Sequence, residues 1–167
     1  MTASLLPIQF ESLLGLISEA CQACYGDRLV SLAVFGSVGR GTPRPDSDID
    51  LLLVVERLPR GRMPRMAEFL DVEAAVRPFL DRARATGFTP ELSPIIRLPE
   101  EILKGSPLLL DMIEDAKLLH DRQGFLKSAL ERFKARLDRL GARRIWRGNA
   151  WYWDLNPGYR HGDIFEL

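Results

Sequence analysis

The sequence has no excess of charge and no long apolar run. With 23 basic and 23 acidic residues the chain carries no net charge, which argues against the basic surface typical of proteins that bind duplex DNA. No apolar run approaches the length of a membrane span, and no basic start, apolar stretch and small-residue cleavage site follow Met1. We therefore expect a cytoplasmic protein that binds neither membranes nor duplex DNA.

Cysteine is also scarce, since Cys21 and Cys24 are the only two in the chain. They lie three residues apart in a helical pattern, and a zinc site would need further ligands that are not nearby. We expect both to be reduced residues of the core. At 167 residues with 46% hydrophobic content, the chain is long enough for one globular domain and short for two.

Hydrophobic periodicity predicts strands that alternate with helices. Two predicted strands are short, β-rich and almost entirely apolar, which is typical of strands buried on both faces. A third contains prolines, which favours an edge of the sheet. The predicted strands are 28–35, 48–55, 89–98 and 117–121, and the predicted helices are 8–25, 66–86, 107–116 and 124–140.

This order of elements predicts an α/β (α+β) domain with a small mixed β-sheet flanked by helices. Pro78 lies inside the second predicted helix and should kink or divide it. We expect the domain to span residues 1–141. Residues 142–167 form a tail that contains all three tryptophans, and it should pack either on the domain or on a partner.

The residues that indicate chemistry are GSVGRG at 36–41 and, after a loop, SDID at 47–50. Alternate side chains of a strand share one face, so Asp48 and Asp50 should present two carboxylates side by side. Two carboxylates repel one another unless a cation joins them, and hard oxygen ligands favour Mg²⁺ or Mn²⁺. The acidic pair therefore predicts a divalent metal site.

The glycine-rich stretch predicts a phosphate site. Gly36 and Ser37 close one strand and open a short helix, which directs unpaired backbone N–H groups at an anion. Ser37 adds a hydroxyl donor, and Arg40 adds a positive charge one turn later. An anion site that faces a metal site is the arrangement that phosphoryl and nucleotidyl transfer require.

GSVGRG followed by SDIDLLLVV resembles the nucleotidyltransferase superfamily of DNA polymerase beta, and within it the minimal nucleotidyltransferases of prokaryotes. Those proteins typically have Gly-Ser-x-Ala-Arg-Gly and then Ser-Asp-Ile-Asp-Leu, and here Gly39 takes the usual alanine place. The motif covers residues 35–55, and the likeness extends to about residue 98. The resemblance implies a polymerase-beta-like fold, Mg²⁺ or Mn²⁺ as cofactor, and ATP as the donor of AMP.

The resemblance also implies a third carboxylate on the third strand, to complete the metal site and to accept the proton of the acceptor hydroxyl. Glu91 is the best-placed candidate, although Pro90 precedes it, and Asp81, Glu100 and Glu101 remain alternatives. The predicted catalytic and metal residues are Asp48, Asp50 and Glu91, and the predicted nucleotide-binding residues are Gly36, Ser37, Arg40 and Ser47.

For the acceptor, the resemblance leaves several alternatives. Minimal nucleotidyltransferases are often encoded beside a helical protein of the HEPN type, as the antitoxin that modifies its toxic partner. We expect an adenylyltransferase that acts on such a partner. Related larger enzymes adenylylate small molecules such as aminoglycosides. A non-catalytic antitoxin that covers its partner with the tail is a third possibility.

Overall fold

The computed structural model describes residues 5–148 and 150–158 of the chain. Strands and helices alternate through most of its length, and a β-hairpin follows the last helix. The helices are α1 (Leu5–Tyr25), α2 (Gly36–Gly39), α3 (Arg62–Ala83), α4 (Pro99–Leu103), α5 (Leu108–Met112) and α6 (Phe125–Leu140), and the strands are β1 (Leu29–Phe35), β2 (Ile49–Val55), β3 (Leu92–Arg97), β4 (Lys117–Asp121), β5 (Arg143–Arg147) and β6 (Ala150–Asp154).

The central sheet has four strands in the order β3-β2-β1-β4. β1 is antiparallel to both β2 and β4, whereas β2 and β3 are parallel, so the sheet is mixed. The predicted mixed sheet with flanking helices is confirmed. β5 and β6 form a separate antiparallel hairpin.

The two middle strands are covered on both faces. Every residue of β1 is buried. Because successive side chains of a strand point to opposite faces, Leu51 and Leu53 join the core cluster made with α1 and α3. Leu52 and Val54 join a second cluster made with α5 and α6. The apolar runs predicted as doubly buried strands are therefore the layer between two hydrophobic cores.

Two predicted helices differ from the observed ones. Pro78 was expected to kink or divide the second predicted helix, and the division is wrong, since Pro78 lies inside one continuous α3. The helix predicted over 107–116 ends as α5 at Met112, and the chain then turns into β4. In that turn Asp115 is buried and bonded to arginines from elsewhere in the chain.

β3 lies at an edge of the sheet, as its prolines predicted. The parallel register directs the backbone groups of every second β3 residue away from β2, and Pro94 is one of these residues. Proline has no N–H to present there. The carbonyl of Ile96 accepts a hydrogen bond of 3.2 Å from Arg65, which also pairs with Glu101 at 2.8 Å. The outer edge of β3 is thus occupied by the chain's own groups.

Both cysteines are free and belong to the first core cluster or pack against it. Burial, with a smaller contribution from the neighbouring Cys24, raises the pKa of the Cys21 thiol to about 12. Within residues 5–148 and 150–158, no helix combines the length and apolar character needed to cross a bilayer.

The hairpin β5–β6 contacts the second core cluster through Trp153. Trp146, by contrast, is 56% exposed. The predicted tail therefore forms strands, as far as it is described, and residues 159–167 lie outside the described part of the chain. The division into 1–141 and 142–167 stays a prediction.

Candidate active site

Asp50 lies at the point where three strands of the sheet meet α2. Its register partners are Phe35, the last residue of β1, and Ser93 on β3. It is the one residue of β2 that is not buried. The register therefore places a single carboxylate at the rim of an otherwise apolar strand, directly beside the start of the glycine-rich turn.

The surroundings of Asp50 disfavour the ionised form of its carboxyl group. Burial raises the pKa of its carboxyl, and the charge of Asp48 raises it further. A hydrogen bond from Ser93 and the charge of Arg40 oppose the shift, while Asp111 adds to it. Ionised Asp50 is therefore short of compensating positive charge, as expected of a carboxylate arranged to bind a cation.

Gly36 places the glycine-rich turn against this carboxylate. Its φ is +65°, and a β-carbon added there would lie 2.2 Å from Oδ2 of Asp50. Both the backbone angle and the contact exclude a side chain. The glycine that opens the motif is thus required so that the turn and the acidic strand can touch.

A different contact leaves no room for a side chain at Gly39. A β-carbon there would lie 2.2 Å from the backbone carbonyl oxygen of Asp115 and 3.1 Å from that of Val34. The family that the motif resembles usually has alanine in this place. Here the connection between α5 and β4 lies against the turn, which accounts for the glycine.

We predict that Gly39→Ala destabilises the protein by about 1–3 kcal/mol, because the contacting atoms are backbone and the core must shift to admit a methyl group. Gly15→Ala is the matched control. Gly15 lies in α1 with nothing within 4 Å of an added β-carbon, so alanine should stabilise the protein by about 0.5–1 kcal/mol. Urea unfolding of both variants tests this, and a neutral or stabilising Gly39→Ala would contradict the packing.

The other predicted nucleotide-binding residues surround the turn. Arg40 directs its guanidinium to Asp115 at 2.9 Å and is 32% exposed. Ser37 is partly exposed, and its carbonyl accepts the N–H of Thr42 at 2.9 Å. The Ser47 hydroxyl accepts the N–H of Arg44 at 2.8 Å. Ser47 therefore closes the loop turn that leads into the acidic pair.

Glu91 lies one residue before β3, and its carbonyl accepts the N–H of Ile49 at 2.8 Å. The residue is exposed and borders a cleft of about 340 Å³ together with Arg77 of α3 and Arg84, which directly follows that helix. In the described residues, no three His, Cys, Asp or Glu side chains form a group that could hold a metal ion. The structure thus does not gather Glu91 with Asp48 and Asp50, and its role as third carboxylate stays a prediction.

Among the alternatives for the third carboxylate, Asp81 borders the same cleft as Glu91. Glu101 is engaged by Arg65, whose hydrogen bond lowers the pKa of the Glu101 carboxyl. The larger cleft of about 450 Å³ lies at the outer edge of β3, beside Arg65 and Glu101. Neither Asp48 nor Asp50 lines this cleft.

Sequence reasoning missed three charged residues near the motif, Asp111, Asp115 and Arg144. Burial raises the pKa of the Asp111 carboxyl, and the charge of Asp115 adds to this while Arg144 and Arg40 oppose it. Arg144 donates to Asp115 from β5. The available signal was a pair of aspartates four residues apart within the apolar segment 108–116, because buried acidic residues need partners.

The fold and the site define a nucleotidyltransferase. The family model described as "Nucleotidyltransferase domain" matches residues 15–135, and the chain belongs to this family. A relative from Methanocaldococcus jannaschii, named "Putative protein adenylyltransferase", is 34% identical over 124 residues, which cover 73% of this chain and 79% of the relative. The predicted resemblance to nucleotidyltransferases is confirmed.

Solved structures of toxin–antitoxin complexes are similar to this chain at low identity. A complex with AMP-PNP has 15% identity and a TM-score of 0.40, covering 77% of this chain and 92% of the other. A tri-AMPylated Shewanella oneidensis HEPN toxin in complex with an MNT antitoxin has 13% identity and a TM-score of 0.40, with the same coverage of 77% and 92%. The family assignment rests on the family model and the archaeal relative.

Proposed function

We propose that the protein transfers AMP from ATP to a hydroxyl group of a partner protein. The observation that carries this proposal is the register at Asp50, which joins the acidic strand to the glycine-rich turn between Phe35 and Ser93. In this proposal the cation site at Asp48 and Asp50 and the anion site of the glycine-rich turn lie beside one another. This is the arrangement that can hold a triphosphate by its metal ion and its oxygens together.

Asp48 and Asp50 would hold Mg²⁺ or Mn²⁺. The donor set fits, because Mg²⁺ is usually bound by one or two carboxylates together with substrate phosphates. The raised pKa of Asp50 beside Asp48 supports the same assignment. When bound, the ion would neutralise charge that develops on the phosphates. We propose Glu91 as the third carboxylate of the reaction.

The chain's own groups would bind and orient the nucleotide. In the proposal, the backbone at Gly36, the hydroxyls of Ser37 and Ser47 and the guanidinium of Arg40 contact the outer phosphates. The acceptor oxygen forms a bond to the α-phosphorus, and the bond from that phosphorus to the bridging oxygen of the β-phosphate breaks. Pyrophosphate leaves, and Glu91 takes the proton of the acceptor hydroxyl.

A protein acceptor is supported by the name of the archaeal relative. The motif resemblance to minimal nucleotidyltransferases supports a HEPN-type partner, with this chain as the antitoxin of the pair. Free cysteines support a cytoplasmic location.

The test is transfer of label from ATP to a purified HEPN-type partner in the presence of Mg²⁺. Label on the α-phosphate should appear on the partner, whereas label on the γ-phosphate should not. Label from the γ-phosphate on the partner would show a kinase. Tight binding of the partner without any label would favour a non-catalytic module, and label on an aminoglycoside alone would favour a small-molecule acceptor.

A further inference from the structure

Asp115 joins the glycine-rich motif to the C-terminal hairpin. Asp115 is only 7% exposed. Oδ2 accepts hydrogen bonds from Arg40 at 2.9 Å and from Arg144 at 3.1 Å, and Oδ1 accepts a second bond from Arg144 at 3.2 Å. One buried carboxylate therefore holds an arginine of the motif and an arginine of β5.

The two arginines are held unequally. Arg144 makes a bidentate pair with Asp115, contacts Glu114 at 2.9 Å, and its side chain is 8% exposed. Arg40 makes one bond to Asp115, and its side chain is 32% exposed. A bidentate arginine can satisfy a buried carboxylate alone. Arg40 can therefore leave Asp115 without stranding a buried charge, whereas Arg144 cannot.

Arg40 also lies within electrostatic reach of Asp50, since its charge opposes the rise that burial causes in the pKa of that carboxyl. On the other side of Asp115, the carbonyl oxygen of the same residue packs against Gly39. The aspartate thus contacts the motif through both its backbone and its side chain. Any movement of Arg40 toward a ligand changes the charge balance around Asp115.

The tryptophans of the hairpin would respond to that change, because they surround Arg144. The guanidinium of Arg144 lies 4.1 Å from the centre of the Trp151 ring and 4.9 Å from that of Trp146. Trp153 is the register partner of Arg144 on the neighbouring strand. All three tryptophans of the chain lie on β5 or β6, so intrinsic tryptophan fluorescence reports on the hairpin alone.

We propose that Asp115 couples occupancy of the nucleotide site to the hairpin β5–β6, because it holds Arg40 while the site is empty and gives Arg40 up to a bound triphosphate. The coupling rests on the proposed function, in which Arg40 contacts the outer phosphates. A triphosphate that draws Arg40 to its own oxygens leaves Asp115 to Arg144 alone, and the packing of Arg144 on Trp146 and Trp151 changes. By linkage, a partner seated on the hairpin changes nucleotide affinity by the same factor.

The experiment compares two signals in the full chain at saturating ATP and Mg²⁺, with binding measured by calorimetry and the hairpin by tryptophan fluorescence. In the native chain, nucleotide should bind and alter the fluorescence. In Asp115→Asn, binding should remain at least as tight, because no charged group competes for Arg40, while the fluorescence response falls by more than about half. Glu114→Gln is the matched control, since it removes a carboxylate from Arg144 without touching Arg40, and it should keep the response.

Arg40→Ala provides a second variant if Asp115→Asn does not fold, because the Asp115–Arg144 pair stays intact. It should weaken ATP binding by about 10- to 100-fold and lose the response even at saturation. Full response in Asp115→Asn or in Arg40→Ala would overturn the coupling, as would nucleotide binding to the native chain without any fluorescence change. Absence of calorimetric binding to the native chain would instead reject the proposed function.

Discussion

Asp50→Asn is expected to reduce AMP transfer by about a thousandfold or more while the melting temperature holds or rises. A metal site is worth several kcal/mol of transition-state stabilisation, and each 1.36 kcal/mol is about a tenfold change in rate. Stability should not fall, because burial and the charge of Asp48 raise the pKa of Asp50. At neutral pH its ionised form therefore costs folding energy, and asparagine removes that cost.

The same substitution at Asp46 is the control for this prediction. Asp46 lies in the adjacent loop, pairs with Arg44 at 3.2 Å and has a side chain that is 64% exposed. Asp46→Asn should leave transfer, metal-dependent ATP binding and melting unchanged within error. Asp48→Asn should lose transfer and metal-dependent ATP binding as Asp50→Asn does. Undiminished calorimetric binding of ATP and Mg²⁺ by the Asp48/Asp50 double variant would refute the assignment.

The second large effect concerns stability, and it separates two tryptophans of the hairpin. Trp153→Ala should cost about 2–4 kcal/mol, because the ring packs against the second core cluster. For a chain of this size that lowers the melting temperature by roughly 2–4 °C per kcal/mol. Trp146 is 56% exposed, so Trp146→Ala should cost less than about 1 kcal/mol.

Circular dichroism is the suitable probe for these melts, since fluorescence would lose its own reporters. Equal, small effects of Trp153→Ala and Trp146→Ala would show that the hairpin does not pack on the core. The tail was expected to pack either on the core or on a partner, and different tryptophans suit the two roles. Trp153 contacts the core, and the exposed Trp146 remains available to a partner.

The sheet and the place of Asp50 in it could be predicted because their signals are local. The apolar runs that became β1 and β2 need only their own composition to indicate burial on both faces. The position of Asp50 at the rim of β2 follows from the boundary of that run. Pro94 similarly indicated an edge strand before any pairing was known.

The contacts of Asp115 could not be predicted in this way. Arg40 and Asp115 are 75 residues apart in the sequence. Arg144, which pairs with the same carboxylate, comes after α6 in the chain. Ion pairs of this kind leave no periodic pattern, and only the three-dimensional fold shows which charge meets which. The identity of the third carboxylate also depends on contacts between distant parts of the chain. Glu91 directly precedes β3, and it lines a cleft with residues of α3.

The proline at the outer edge of the sheet has a consequence for self-association. An uncovered edge strand is a template on which another copy can add a strand, and long stacks of such copies are the route to aggregation. Here Pro94 offers no donor, and Arg65 already occupies the Ile96 carbonyl. A second chain that approached this edge would find no continuous row of free backbone donors and acceptors. The same two residues that border a cleft thereby protect the protein from polymerising through β3.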